Sequence, residues 1–131
     1  MLYAILCYHD ENAVCAWSRE QDEAVMAKLA KVQRKLAEAG KLGPVARLMP
    51  TTAATTLRKS GEPPLVIDGP FAETKEQLLG FYLVEAVGLE GALDIARELG
   101  AANPGGSYEV RPVAYAHRGD PADTIVPGAA P

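Results

Sequence analysis

Residues 66–86 read VIDGPFAETKEQLLGFYLVEA, and the two ends of this run decide how the chain folds. The last seven residues, GFYLVEA (80–86), are apolar at consecutive positions, as expected of a strand covered on both faces. At the other end, residues 64–67 form a short apolar return strand that stops at Asp68-Gly69-Pro70. These three residues make a turn. Asp accepts bonds from backbone N–H groups one or two residues on, Gly permits unusual dihedrals, and Pro fixes its own φ. The residue before Pro is restricted as well, so the turn is stiff, and the Gly69–Pro70 bond is left open between cis and trans. Phe71 is expected to anchor the turn by burial. Glu73, Lys75 and Glu76 then set a cation between two carboxylates, the pattern of a solvated ion-pair cluster.

Working outward, residues 2–8 (LYAILCY) form a second strand that is apolar throughout, broken by the polar run His9-Asp10-Glu11-Asn12. Ser18 opens a long helix, with Gln21 at capping-box spacing and an apolar stripe at Val25, Leu29, Val32 and Leu36. Gly40 ends it after about 31 Å. Residues 43–51 read as a loop. Residues 52–58 (TAATTLR) pair with the return strand across Ser60-Gly61-Glu62 as a hairpin. Leu89, Leu93, Ala96 and Leu99 mark a second amphipathic helix closed by Gly100, and YEVRPV (108–113) is a last strand that Pro112 assigns to a sheet edge.

The predicted order is β-α-β-β-β-α-β, an α+β, ferredoxin-like arrangement with both helices on one face of a mainly antiparallel sheet. One domain is expected over residues 1–115, followed by a flexible tail over 116–131 that is loose or wraps a neighbour. Two helices cover one sheet face only, yet two strands are apolar on both. That predicts a homodimer packed sheet to sheet, the alternative being a face covered by the 43–51 loop and the tail.

Bulk properties narrow the function. The chain has 131 residues, 48% hydrophobic and 23% charged, which fits one globular domain able to fold without disulfide or metal. A net charge of −4 with no basic stripe argues against direct nucleic-acid binding. No apolar run approaches the ~20 residues of a membrane span, and no signal peptide is apparent at the start, so a cytoplasmic location is expected. Cys7 and Cys15 lack the partners of a zinc site and read as reduced thiols; neither metal nor cofactor is expected.

The run Asp68-Gly69-Pro70-Phe71, continued by Glu73-Thr74-Lys75-Glu76-Gln77 and Gly80-Phe81-Tyr82, closely resembles the DGPF-domain proteins of the YCII-related family. Tyr8-His9-Asp10-Glu11 and Glu109-Val110-Arg111-Pro112-Val113 extend the resemblance from residue 1 to about 113. One departure is Leu79, where relatives usually show a second glycine before Gly80. The resemblance implies a dimeric α+β barrel, in agreement with the interface expected from the strands.

The resemblance also implies two functions. In the first, the chain binds a small polar or aromatic molecule and acts on it by acid/base chemistry. The wider family includes an enzyme that eliminates chloride from a chlorinated hydroxyquinone, and YCII-type members have been suggested to use a His–Asp pair. His9 would be the base and Asp68 the group that orients it. In such a sheet the ends of the first and third strands lie at opposite edges. The two are therefore expected to meet across a dimer, or His9 to pair with Asp10 or Glu11. Phe71, Glu73, Lys75, Glu76 and Arg111 complete the candidate ligand-binding set, Arg111 sharing a sheet face with Glu109. In the second function the chain is a non-enzymatic accessory or regulatory protein linked to extracytoplasmic-function sigma factors, beside which DGPF-domain proteins are often encoded. A bare structural dimer is the remaining reading.

Overall fold

A computed structural model describes residues 1–126. The first strand, β1 (Leu2–His9), runs into a one-turn helix α1 (Glu11–Cys15), and α2 (Arg19–Glu38) follows. Next come β2 (Leu42–Arg47), a 3-10 turn (Thr51–Ala53), β3 (Thr55–Arg58), β4 (Leu65–Asp68) and β5 (Gln77–Glu85). The chain continues through α3 (Leu89–Ala102), β6 (Ser107–Pro112), β7 (Ala116–His117) and β8 (Thr124–Val126). Four strands make the main sheet in the order β2-β5-β1-β6, every pair antiparallel. This α+β arrangement is compatible with a ferredoxin-like fold. Among the described residues no helix is long and apolar enough to cross a membrane.

Register assigns the two sheet faces. Tyr3, Ile5 and Cys7 of β1 stand opposite Val84, Tyr82 and Gly80 of β5, and this row meets the helices. Leu29 and Leu36 of α2 and Ala92, Ile95, Ala96 and Leu99 of α3 close on Tyr3, Ile5, Tyr82 and Val84 to form the core. The other row sets Ala4 and Leu6 against Leu83 and Phe81 on one side and Arg111 and Glu109 on the other. Its apolar members are only half-buried.

Helix α2 begins as its sequence requires. Ser18 Oγ accepts from Gln21 N at 3.0 Å while Gln21 Oε1 accepts from Ser18 N at 2.9 Å, the reciprocal capping box. Strand β6 takes the sheet edge, where the missing N–H of Pro112 costs nothing.

Three expectations need correction. Residues 43–47, read as part of a loop, belong to the other edge strand, β2; Gly43 and Pro44 interrupt its pattern and its register slips between Leu42 and Val45. The hairpin forms, but β3 and β4 pair only with each other as a separate two-stranded sheet rather than joining the main one. Phe71 does not anchor the turn: it is 76% exposed, because the hairpin stands off the core it was expected to enter. In the described part of the tail, β7 and β8 pair as a short ladder; residues 127–131 lie outside the described residues. The cis peptide bond recorded is Glu62–Pro63 rather than Gly69–Pro70.

Candidate functional site

At one end of the sheet, the last residues of β1, the first half of β5, the end of β2, helix α2 from Asp22 to Gln33, and Asn103, Gly105 and Tyr108 enclose a cavity of about 110 Å³. That is room for several waters or one small ring. Two backbone features shape it. The β1–β5 register shifts between Cys7 and Tyr8, so Cys7 faces Gly80, Tyr8 faces Leu78, and Leu79 is bulged out. The Leu79 carbonyl accepts from Leu48 N at 2.9 Å and so ties the end of β2 to the bulge. Gly80 also lets β2 come close, because a Cβ there would lie 2.5 Å from the Ala46 carbonyl oxygen.

The lining is mainly apolar, and the polar groups at its floor, Cys7, Tyr82, Tyr108, Gln33 and Asn103, are uncharged. Burial pushes the Cys7 thiol up to about 12, and a hydrogen bond from the Tyr108 hydroxyl only partly opposes it. Burial likewise raises Tyr82 and Tyr108, against bonds from Gln33 and Asn103 respectively. Asn103 Nδ2 donates to the Tyr108 hydroxyl at 3.2 Å, and Cys7 Sγ donates weakly to the Ile5 carbonyl at 3.8 Å. Thiol and phenols therefore all keep their protons at neutral pH.

The rim carries the groups that can change charge or exchange partners. His9 ends β1 and is wedged between Trp17 and the Gly105-Gly106 turn. Its ring meets Trp17 edge-on, with centroids 6.4 Å apart and planes at 89°. A Cβ on Gly105 would lie 2.4 Å from His9 Nε2, and one on Gly106 2.3 Å from the Tyr8 carbonyl oxygen. Only glycines fit beside this histidine. Among the described residues neither ring nitrogen of His9 bonds to a side chain. Across the mouth, Arg47 Nη2 meets Asp22 Oδ1 at 3.0 Å, joining β2 to α2.

Of the candidate catalytic and ligand-binding residues, His9 alone lines the cavity. Asp68 is exposed at the end of β4, opposite Thr55, and its carboxylate makes no hydrogen bond among the described residues. Phe71, Glu73, Lys75 and Glu76 are exposed in the connection to β5, and the last three form no ion pairs with one another among the described residues. Arg111 pairs with Glu109 at 3.1 Å on the outer sheet face, away from the cavity. His9 and Asp68 therefore sit on different sheets. Its neighbours Asp10 and Glu11 are also turned elsewhere. Asp10 caps α1 by accepting from Asn12 N at 2.9 Å, and Glu11 accepts from Thr51 N at 2.9 Å and from the Thr51 hydroxyl. Glu11 N in turn donates to Gln77 Oε1 at 2.9 Å, so α1 clasps both stems of the hairpin.

Sequence reasoning missed Cys7, Tyr82 and Tyr108 as floor groups and Trp17, Asp22 and Arg47 as rim groups. One signal was present. Gln33 lies four residues after Leu29 and three before Leu36, which puts a polar side chain on the core face of α2.

Among the described residues no group of three or more His, Cys, Asp and Glu side chains is placed to hold a metal ion. A protein of Rhizobium meliloti (strain 1021), itself described as uncharacterised, is 64% identical over 121 residues, 92% of this chain and 98% of the relative. The family model of the YCII-related domain matches residues 1–116, the whole span of the main sheet, both long helices and the cavity between them. The chain belongs to the YCII-related family.

Proposed function

We propose that this chain binds a small planar molecule in the cavity beneath α2, and that His9 moves a proton to or from it. The observation that carries the reading is the setting of His9. Packing against Trp17 and two glycines holds the imidazole, and among the described residues no side-chain bond occupies its nitrogens. A group held in place yet unbonded is prepared to exchange a proton with a ligand. The uncharged floor suits a ring bearing hydroxyl or carbonyl groups, which finds amide, thiol and phenol partners without burying a charge. Trp17 is the single tryptophan of the chain and lies at the rim, so its emission reports occupancy. A panel of hydroxylated aromatic and quinone compounds is expected to include members that quench it saturably. His9→Gln is expected to keep that binding and to lose conversion of any compound the intact protein transforms. The reading fails if no member of the panel alters Trp17 emission.

We infer as well that the chain works as a homodimer, with the outer sheet faces packed together. The half-buried apolar row of Ala4, Leu6, Phe81 and Leu83 supports it, as do Leu57, Val66 and Phe71 left exposed around the hairpin. Asp68, at the base of the hairpin, joins the site only from a second subunit. Light scattering should give twice the chain mass of 13.9 kDa, and a monomer at micromolar concentration would end this reading.

A further inference from the structure

We infer that the ligand of this cavity carries a carboxylate, and that Arg47 is the residue that reads it. The inference rests on the cavity being a ligand site and specifies what class of molecule enters. Arg47 is the one side chain bearing a permanent positive charge, and Asp22 the one carboxylate, among the described residues that line the cavity. In the free protein the two face each other. Arg47 Nη2 lies 3.0 Å from Asp22 Oδ1 and Nη1 lies 3.5 Å from Oδ2, the parallel two-point geometry in which a guanidinium holds any carboxylate. Asp22 thus occupies the place that an anionic group of a ligand would take.

Three features make that exchange favourable. First, the pair is at the mouth, with side chains 53% and 36% exposed. A screened pair of this kind contributes under about 1 kcal/mol, so parting it costs little. Second, Arg47 is the last residue of an ordered strand rather than a loop residue. Gly80 lets that strand lie close, since a Cβ at residue 80 would come within 3.4 Å of Arg47 Cα. Third, the interior beyond the mouth holds no charge that would compete for or repel an anion, because Cys7, Tyr82 and Tyr108 are all pushed up. A molecule with one anionic end and one uncharged polar end then has a single orientation available. Its carboxylate lies on Arg47, its ring beside Trp17 and His9, and its polar substituent on the floor.

The test uses two probes of nearly equal shape, 4-hydroxybenzoate and 4-hydroxybenzamide, titrated against Trp17 emission of the full chain. The benzoate is expected to bind at least about tenfold more tightly than the amide, the usual worth of a charge-assisted pair over a neutral one. Arg47→Gln should erase that difference while sparing amide binding. Asp22→Asn removes the internal competitor and should tighten the benzoate by about threefold without moving the amide. Circular dichroism and melting of each variant separate folding from binding, and Asp22→Asn decides the matter alone if Arg47→Gln fails to fold. Equal affinity for the two probes, or a weaker benzoate in Asp22→Asn, overturns the role of Arg47 and leaves the cavity reading standing. If neither probe changes Trp17 emission, the role of Arg47 is overturned, and the wider panel of aromatic and quinone compounds decides the cavity reading.

Discussion

The cavity end of the sheet and the β3–β4 hairpin are built on opposite plans. Around the cavity, polar side chains gather: Asn103 Nδ2 bonds the Tyr108 hydroxyl, and Cys7, Gln33 and Tyr82 line the same space. In the hairpin and the turn after it, the bonds go to the main chain of the turn. Gly69 N donates to the Ala54 carbonyl at 2.8 Å, Thr56 Oγ1 to the Gly69 carbonyl at 2.7 Å, and Arg58 Nη2 to the Phe71 carbonyl at 3.1 Å. Gly69 itself has φ 102°, a conformation that glycine adopts readily. The Asp68-Gly69-Pro70-Phe71 turn is thus a backbone device. Its Asp68 and Phe71 side chains are exposed, while the polar side chains that come together do so around the cavity.

The largest difference between the two regions should appear in stability. Ile5 is fully buried against both helices, and Ile5→Ala should cost about 3 kcal/mol in urea unfolding. Val66 is 63% exposed on the hairpin, and Val66→Ala should stay within about 0.5 kcal/mol of the parent. A comparable loss at both sites would mean that the hairpin is part of the folding core through subunit contact. A second difference should appear at alkaline pH. The folded state holds the Cys7 proton up to about 12, whereas the unfolded chain releases it near the ordinary 9.0. The contribution is whole below pH 9.0 and declines as pH rises toward about 12, and raised Tyr82 and Tyr108 act in the same direction from 10.0. Urea midpoints should therefore fall over that window, and fall less steeply in Cys7→Ala. An unchanged slope would remove the thiol from the buried floor.

A smaller effect belongs to the clasp between the regions. Glu11→Gln weakens the bonds to Thr51 and should cost about 1 kcal/mol, with faster hydrogen exchange in residues 51–58 than in β1. Uniform exchange changes would show that Glu11 serves general stability rather than the hairpin base. Asp68→Asn should change least of all, leaving the urea midpoint where it was, since the carboxylate is exposed at the strand end.

Much of the fold was legible because it is local. An unbroken apolar run marked β1, the Ser18–Gln21 pair marked the start of α2, and Pro112 marked an edge strand. Strand β2 was hidden because Gly43 and Pro44 read as loop residues, which a bulged edge strand tolerates and a central one does not. Phe71 misled for a different reason: apolar character says that a residue benefits from cover, not that its own chain supplies it. Of the candidate site only His9 was legible, as a histidine at a strand end. Arg47, Asp22 and Asn103 are unremarkable in their own segments, and their meeting is a product of the bulge at Leu79 and the close approach at Gly80.

A backbone amide shift map of the full chain, titrated with 4-hydroxybenzoate, sets the two regions against each other in one experiment. Ligand in the cavity should move the amides of Trp17, Gln33, Arg47, Asn103 and Gly105 most, and leave residues 65–76 nearly still. The opposite pattern, with the largest shifts between residues 65 and 76 and none at Trp17 or Gly105, would place binding on the hairpin and reduce the cavity to a gap in packing.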